Sequence, residues 1–95
     1  MAQSPLEALK SDLVQNIGYC LREYELAQTG RKFTTVSLMD DVTTIAEIET
    51  IRMVLRRTHG NQLKSAAILG LNRNTLRKKL NQYNININLY RISSQ

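Results

Sequence analysis

The segment Asn72–Lys79, with the sequence NRNTLRKK, concentrates polar and cationic side chains that could bind a nucleic acid. An arginine can donate two parallel hydrogen bonds to O6 and N7 of guanine, and asparagine or threonine can contact base edges or phosphates. Lysines and further arginines suit the phosphate backbone. The residues whose types predict contact with DNA are Lys64, Asn72, Arg73, Asn74, Thr75, Arg77, Lys78 and Lys79.

Residues that could carry out catalysis or bind a metal are scarce. His59 is the only histidine and Cys20 the only cysteine, so no zinc-type ligand spacing exists. No serine or threonine has a plausible base partner, and we interpret Asp40-Asp41 as a charge pair at a helix start. Aromatic residues make up 5% of the chain and tryptophan is absent, which disfavours a pocket of stacked rings. We therefore expect no enzymatic activity, metal, cofactor or small-molecule ligand.

The charges are strongly segregated along the chain. The first 49 residues hold all eight carboxylates and four cations, for a net charge of −4. The last 46 residues hold nine cations and no carboxylate, for a net charge of +9. Such segregation is typical of a region that binds a polyanion. The alternative interpretation is a basic, solvated face without a partner.

Two long helices are predicted to precede the basic region, at about 5–28 and 38–58. Ser4, Pro5 and Glu7 have the types expected at a helix start, and Ser37 or Thr44 could cap the second helix. Residues 31–36 read as a loop with a possible short extended piece. Both helices carry a wide apolar stripe, and little else in the chain could cover these stripes. The residues predicted to form the core of a homodimer are Leu13, Ile17, Cys20, Tyr24, Ile45, Ile48, Ile51 and Leu55.

Residues 61–83 have the pattern of a helix-turn-helix. Asn61 should cap a third helix that buries Ile68 and Leu69, and Gly70 should take a left-handed conformation that ends it. Asn72 should cap a fourth helix of residues 73–83. Leu71 should fill the corner between the two helices. The residues expected on the inner side of the fourth helix are Leu76, Leu80 and Tyr83.

The segment GNQLKSAAILGLNRNTLRKKLNQY closely resembles the C-terminal half of the bacterial Fis family (factor for inversion stimulation). It also resembles the last domain of enhancer-binding activators of the nitrogen-regulatory type. The resemblance implies an all-α fold: two long helices of each subunit form an intertwined dimeric four-helix core, followed by a helix-turn-helix. It further implies a nucleoid-associated regulator of transcription in which two closely spaced recognition helices bend double-stranded DNA. In that case Asn61 is one more residue predicted to contact the DNA backbone, beside Lys64 and Lys79.

Three features depart from the family pattern. The first helix begins near residue 5, which leaves no room for the N-terminal arm that activates DNA invertases, so we expect no role in inversion. Leu63 and Gln82 occupy positions that are often polar or basic in the family. Residues 84–95, NININLYRISSQ, alternate asparagine and isoleucine with the period of a strand. A short strand, a packed tail and a disordered tail are all compatible with this segment, and we favour a loosely ordered tail.

Length and composition indicate a single domain of residues 1–95 in a reducing cytoplasm. No apolar run approaches the roughly 20 residues of a membrane span, and the first residues lack the pattern of a signal peptide. Two alternatives to the nucleoid role stay open. One is a stand-alone, promoter-specific regulator derived from an enhancer-binding activator, without its ATPase. The other is a helical protein-interaction module that binds an acidic partner and no nucleic acid.

Overall fold

The computed structural model describes residues 4–27 and 37–91, and all secondary structure in these two ranges is α-helical. The helices are α1 (Pro5–Ala27), α2 (Leu38–Thr58), α3 (Gln62–Leu69), α4 (Arg73–Gln82) and α5 (Asn88–Arg91). The all-α prediction is therefore confirmed, with one short helix that the sequence did not predict. The loop predicted at 31–36 lies outside the described residues. None of the described helices combines the length and the apolar character that crossing a membrane requires.

The chain separates into two compact units, residues 1–36 and residues 37–95. In the first unit, Ser4 and Glu7 form the capping box expected at the start of α1. The Glu7 amide donates to Ser4 Oγ at 3.1 Å, and the Ser4 amide donates to Glu7 Oε2 at 3.4 Å. This exchange satisfies two of the amide donors left open at a helix start.

No residue of α1 is buried, so the helix exposes the apolar stripe that its sequence encodes. Cys20, predicted to lie in a dimer core, is exposed within the single chain. Its placement between subunits stays a prediction. The large apolar side chains exposed along α1 are Leu6, Leu9, Leu13, Val14, Ile17, Tyr19, Leu21 and Leu26.

In the second unit, α2 has sharply defined ends. Ser37 caps its start by accepting a hydrogen bond from the Asp40 amide, which confirms the earlier of the two candidate caps. At its end, His59 and Gly60 take left-handed conformations, with φ of 54° and 78°. The Gly60 amide donates to Leu55 O at 2.9 Å, so an otherwise open carboxyl-terminal acceptor is satisfied and the chain turns into α3.

The core of the second unit joins α2, α3 and α4. Its buried apolar residues are Ile51, Leu55, Ala66, Leu76 and Leu80. Ile51 and Leu55, which the apolar stripe of α2 predicts to lie in the core of a homodimer, pack in the core of a single chain. They are 2% and 0% exposed within one chain, so they have almost no surface left for a partner.

The inner face of α3 also differs from the prediction. Ile68 is 60% exposed, whereas Ser65 and Ala66 are buried and Leu69 is half-buried. The buried Ser65 hydroxyl lies 2.7 Å from the Thr58 hydroxyl, in a hydrogen bond that joins α3 to the end of α2. A buried hydroxyl without a partner is costly, so this bond allows α3 to approach α2 closely through a small, polar side chain.

The segment after α4 is folded over residues 84–91, which corrects the expectation of a loosely ordered tail there; residues 92–95 lie outside the described ranges. Asn84 has a left-handed φ of 54°, and the Ile85 amide donates to Leu80 O at 2.9 Å. These two features end α4 as a glycine would. The alternating isoleucines do not form a strand in the described residues. Ile85 and Ile87, together with Tyr90, pack against the core.

Candidate nucleic-acid interface

The turn between α3 and α4 has the geometry of a helix-turn-helix. Gly70 takes a left-handed φ of 70°, as predicted, and its amide donates to the carbonyls of Ala66 and Ala67. The Leu71 amide donates to Ala66 O at 2.9 Å, and the Leu71 side chain packs against the core. The short turn therefore fixes where α4 begins relative to α3.

Asparagine side chains cap both helices of this motif, as predicted. Asn61 Oδ1 accepts from the Lys64 amide at 3.0 Å, and Asn72 Oδ1 accepts from the Asn74 amide at 2.7 Å. Because each cap uses the side-chain oxygen, the group left for an outside partner is the amide NH₂, a donor. Both asparagines are exposed and hence suited to a phosphate oxygen.

The two sides of α4 differ sharply. Leu76 and Leu80 are 0% and 5% exposed and anchor the helix to the core. The opposite side is polar and cationic, and no residue of α4 is a carboxylate. The exposed residues of α4 that were predicted to contact DNA are Asn74 and Lys78 on that side, Thr75 and Arg77 at its edges, and Arg73 at the start of the helix.

Two further predicted contacts occupy different settings. Lys64 is exposed on α3, next to Leu63, which is 67% exposed. The Lys79 ammonium lies 2.9 Å from Glu47 Oε2, and the Lys79 side chain is only 25% exposed. Contact of Lys79 with phosphate stays a prediction, and it would require the ammonium to be shared with Glu47 or released from it.

Glu47 joins α2 to the end of α4, a link that sequence reasoning missed. Its Oε2 accepts hydrogen bonds from the Tyr83 hydroxyl and from Lys79 Nζ. The Tyr83 hydroxyl and then the Lys79 ammonium hold the pKa of Glu47 below its ordinary value. The same carboxylate raises the pKa of Lys79 and of Tyr83, in each case mainly through the hydrogen bond. The cluster thus favours one charge state and fixes the orientation of α4 against α2.

The last two carboxylates of the chain each form an ion pair with a cation of the second unit. Glu47 pairs with Lys79, and Glu49 pairs with Arg52 at 3.3 Å on the exposed side of α2. No carboxylate follows Glu49, so α3, α4 and α5 contain cations and no acidic residue. This half of the chain therefore presents a field of one sign.

An open cleft beside the helix-turn-helix is lined by residues of α3, α4 and α5. Arg91 of α5 lines this cleft together with Asn61 and Arg73, two of the residues predicted to contact DNA. The sequence contains one signal that could have predicted α5: Asn84 and Asn86 are of a residue type that often ends and begins helices. The full lining is Thr58, His59, Asn61, Gln62, Leu63, Arg73 and Arg91.

Comparison with known proteins gives consistent matches to one family. The family described as "Bacterial regulatory protein, Fis family" matches residues 44–83, which include most of α2 and the whole helix-turn-helix. No solved structure matches the chain significantly.

The chain is also similar to curated relatives of two kinds. It is 32% identical to the DNA-binding protein Fis of Aeromonas hydrophila over 84% of this chain and 80% of that protein. It is 34% identical to the DNA-binding protein Fis of Glaesserella parasuis over 87% of this chain and 83% of that protein. It is 41% identical to the DNA-binding transcriptional regulator NtrC of Rhizobium meliloti, over 77% of this chain but 14% of that protein. Since the matches to the Fis proteins cover most of this chain and most of each relative, the chain belongs to the Fis family of bacterial regulatory proteins.

Proposed function

We propose that this protein is a homodimeric, DNA-bending, nucleoid-associated regulator of transcription that inserts α4 into the major groove. The observation that carries the proposal is that α4 has one buried apolar side and one exposed cationic side. Leu76 and Leu80 are buried, and the opposite side is cationic, polar and exposed. A recognition helix needs both properties, because it must be held rigidly while its outer side chains reach base edges.

The positions of the side chains suggest different roles for them. Arg73 lies at the start of α4, the part of a recognition helix that usually reaches furthest into the groove, and it suits guanine. Arg77 and Lys78 lie further along the exposed side and suit phosphates. The capping residues Asn61 and Asn72 offer amide donors to the backbone at the starts of α3 and α4. The remaining proposed contacts are Asn74, Thr75, Lys64 and Lys79.

The exposed apolar stripe of α1 supports the homodimer. A large contiguous apolar patch is unusual on a protein that acts as a monomer, and α1 exposes Leu6, Leu9, Leu13 and Ile17, whose spacing of three and four residues places them along one side of the helix. Pairing of two chains through Leu13, Ile17, Cys20 and Tyr24 would remove this surface from water. In α2, Ile45 is 61% exposed and Ile48 is half-buried, so this helix also retains apolar surface for a partner.

Bending follows if the two α4 helices of a dimer lie closer together than the ~34 Å that separates successive major grooves on one side of straight DNA. The duplex must then curve to reach both helices, at a cost of a few kcal/mol. Because this cost depends on the sequence being bent, flexible or narrow-grooved A/T-rich centres would be preferred.

The test is binding to a set of duplexes by mobility shift, with solution mass measured by sedimentation. Arg73→Ala should weaken specific binding by about 1–3 kcal/mol and blunt discrimination at one base pair. Lys10→Ala, which removes one positive charge from α1, should leave that discrimination intact. Affinity should fall steeply with salt, with a log–log slope of about −0.9 for each neutralised phosphate. A single-chain protein, or one that ignores duplexes in dilute buffer, would rule out the proposal.

A promoter-specific regulator is the second candidate, favoured by the 41% identity to NtrC over the region shared with that protein. Both candidates bind DNA through α4, so the distribution of sites distinguishes them. Occupancy mapped across the genome should show many weak sites for a nucleoid role and a few promoters for a local regulator. If no duplex binds, a helical protein-interaction module with an acidic partner becomes the better interpretation.

A further inference from the structure

We propose that α5 enlarges the DNA-binding surface and that Arg91 is an additional phosphate-binding residue, held beside Arg73 by the packing of α5 on the turn between α2 and α3. The inference rests on the proposed function, because it assigns one more residue to the same interface. The family match ends at Tyr83, so α5 and its arginine lie outside the matched region.

The backbone of residues 84–91 is fixed by specific contacts, which is the first requirement for a defined contact residue. The Ile85 amide donates to Leu80 O at 2.9 Å and ties the segment to the end of α4. Asn86 Oδ1 accepts from the Asn88 amide at 3.0 Å and shapes the start of α5. Ile87 and Tyr90 pack against the core. Arg91 therefore projects from an anchored helix.

Gly60 determines how closely α5 approaches the turn between α2 and α3. A Cβ atom placed on Gly60 would lie 2.9 Å from Arg91 Cγ and 3.0 Å from Ile87 O. Both separations are shorter than ordinary carbon–carbon or carbon–oxygen contacts, so a glycine is needed for this packing. The aliphatic part of Arg91 consequently lies close to the Gly60 backbone, in a position from which the residue lines the cleft.

The cleft has the chemistry of a phosphate site. Arg91, Arg73 and the donor-bearing Asn61 all line it, and none of its lining residues is a carboxylate. Gln62 also lines the cleft, but its Oε1 is buried and is therefore no contact for a phosphate.

The location also fits the proposed path of DNA. Arg73 begins the helix proposed to enter the groove, and Asn61 caps the helix before it, so a phosphate at the cleft would belong to the strand bordering that groove. Leu63, on the same cleft, is 67% exposed and cannot bind phosphate. Arg91 supplies a cation to this cleft from a different element. An arginine suits the role because its planar guanidinium can bind two phosphate oxygens together.

The test compares affinity for one duplex across a salt series for the unmodified protein and four variants. Arg91→Ala should lower affinity about fivefold to tenfold per subunit near 0.1 M salt, and it should reduce the log–log salt slope by about 0.9 for each phosphate that is no longer neutralised. Arg91→Lys keeps the charge and should restore the salt slope. Lys10→Ala is the matched control for loss of one positive charge, and Arg73→Ala reports on the α4 interface itself.

The outcomes separate this inference from the proposed function. If Arg91→Ala and Lys10→Ala have the same affinity and slope while Arg73→Ala loses specific binding, α4 binds DNA without help from α5 and the inference is overturned. If the unmodified protein binds no duplex, the proposed function fails and the inference fails with it. A lower slope for Arg91→Ala than for Lys10→Ala, restored by Arg91→Lys, supports the inference.

Discussion

Replacing Gly60 with alanine tests the packing of α5 with a built-in control. Gly60 and Gly70 both have left-handed backbones, with φ of 78° and 70°, and each lies just after a helix. They differ in their surroundings, because a Cβ on Gly60 meets α5 whereas a Cβ on Gly70 meets nothing within 4 Å. Gly70→Ala therefore measures the backbone strain alone, and Gly60→Ala measures strain plus the steric conflict.

The magnitudes follow from these contacts. A non-glycine residue in the left-handed region costs roughly 1–2 kcal/mol, which both variants should share. At Gly60 the added carbon conflicts with Arg91 Cγ at 2.9 Å, which a side-chain rotation could relieve. It also conflicts with Ile87 O at 3.0 Å, which only a shift of the backbone before α5 could relieve. Overpacking of this kind typically adds about 1–3 kcal/mol.

Equilibrium urea unfolding followed by far-ultraviolet circular dichroism should show the difference. We expect Gly60→Ala to lower the free energy of unfolding by about 1–3 kcal/mol more than Gly70→Ala, provided that both are measured at one protein concentration. Each kcal/mol should lower the thermal midpoint by roughly 4–8 °C for a unit of this size. Equal losses in the two variants would refute the argument that Gly60 sets the approach of α5.

Two further predictions concern the core and the link between α2 and α4. Leu76→Ala should lower the free energy of unfolding by about 2–5 kcal/mol, because Leu76 is fully buried, whereas the exposed Leu63→Ala should change it by about 0.5 kcal/mol or less. Similar urea midpoints for these two variants would contradict the assigned core. Glu47 has a lowered pKa in the folded state, so its stabilising effect should be complete above its ordinary pKa of 4.5 and disappear as the pH falls through the lower folded value. The stability difference between the unmodified protein and Glu47→Gln should accordingly shrink below about pH 4.5 in a pH series of urea unfolding, and a constant difference down to about pH 3 would count against the cluster with Lys79 and Tyr83.

The helix-turn-helix could be predicted from sequence because its determinants are local. Asn61 and Asn72 cap within three residues of their own position, and Gly70 supplies a conformation that other residues adopt at a cost. Leu76 and Leu80 are spaced to lie on one side of α4. Each of these signals acts within about a single turn of helix, so no knowledge of the tertiary structure is needed.

Features that depend on contacts between distant segments could not be predicted from the sequence. Ile51 and Leu55 share a stripe with Ile45, and the spacing alone does not show that α3 and α4 cover the last part of that stripe. The large, apolar side chain of Ile68 predicts burial on the inner side of α3. In the structure α3 approaches α2 closely, and the small Ser65 occupies the buried position instead.

The tail and the link through Glu47 were missed for the same reason. The isoleucines after α4 alternate like those of a strand, and only the left-handed turn at Asn84 places them against the core. Glu47 is separated from Tyr83 by 36 positions in the chain, so no local pattern connects them.

The segregation of charge has a consequence for how salt should act on this protein. The second unit holds nine cations but only four carboxylates, all of them in α2, so its cations repel one another more than they are offset. Dissolved anions would then act as substitute counterions and favour the compact state, since screening relieves like-charge repulsion. Raising the ionic strength should thus increase the free energy of unfolding of the unliganded protein and lower its affinity for a polyanion. Salt therefore shifts folding and binding in opposite directions.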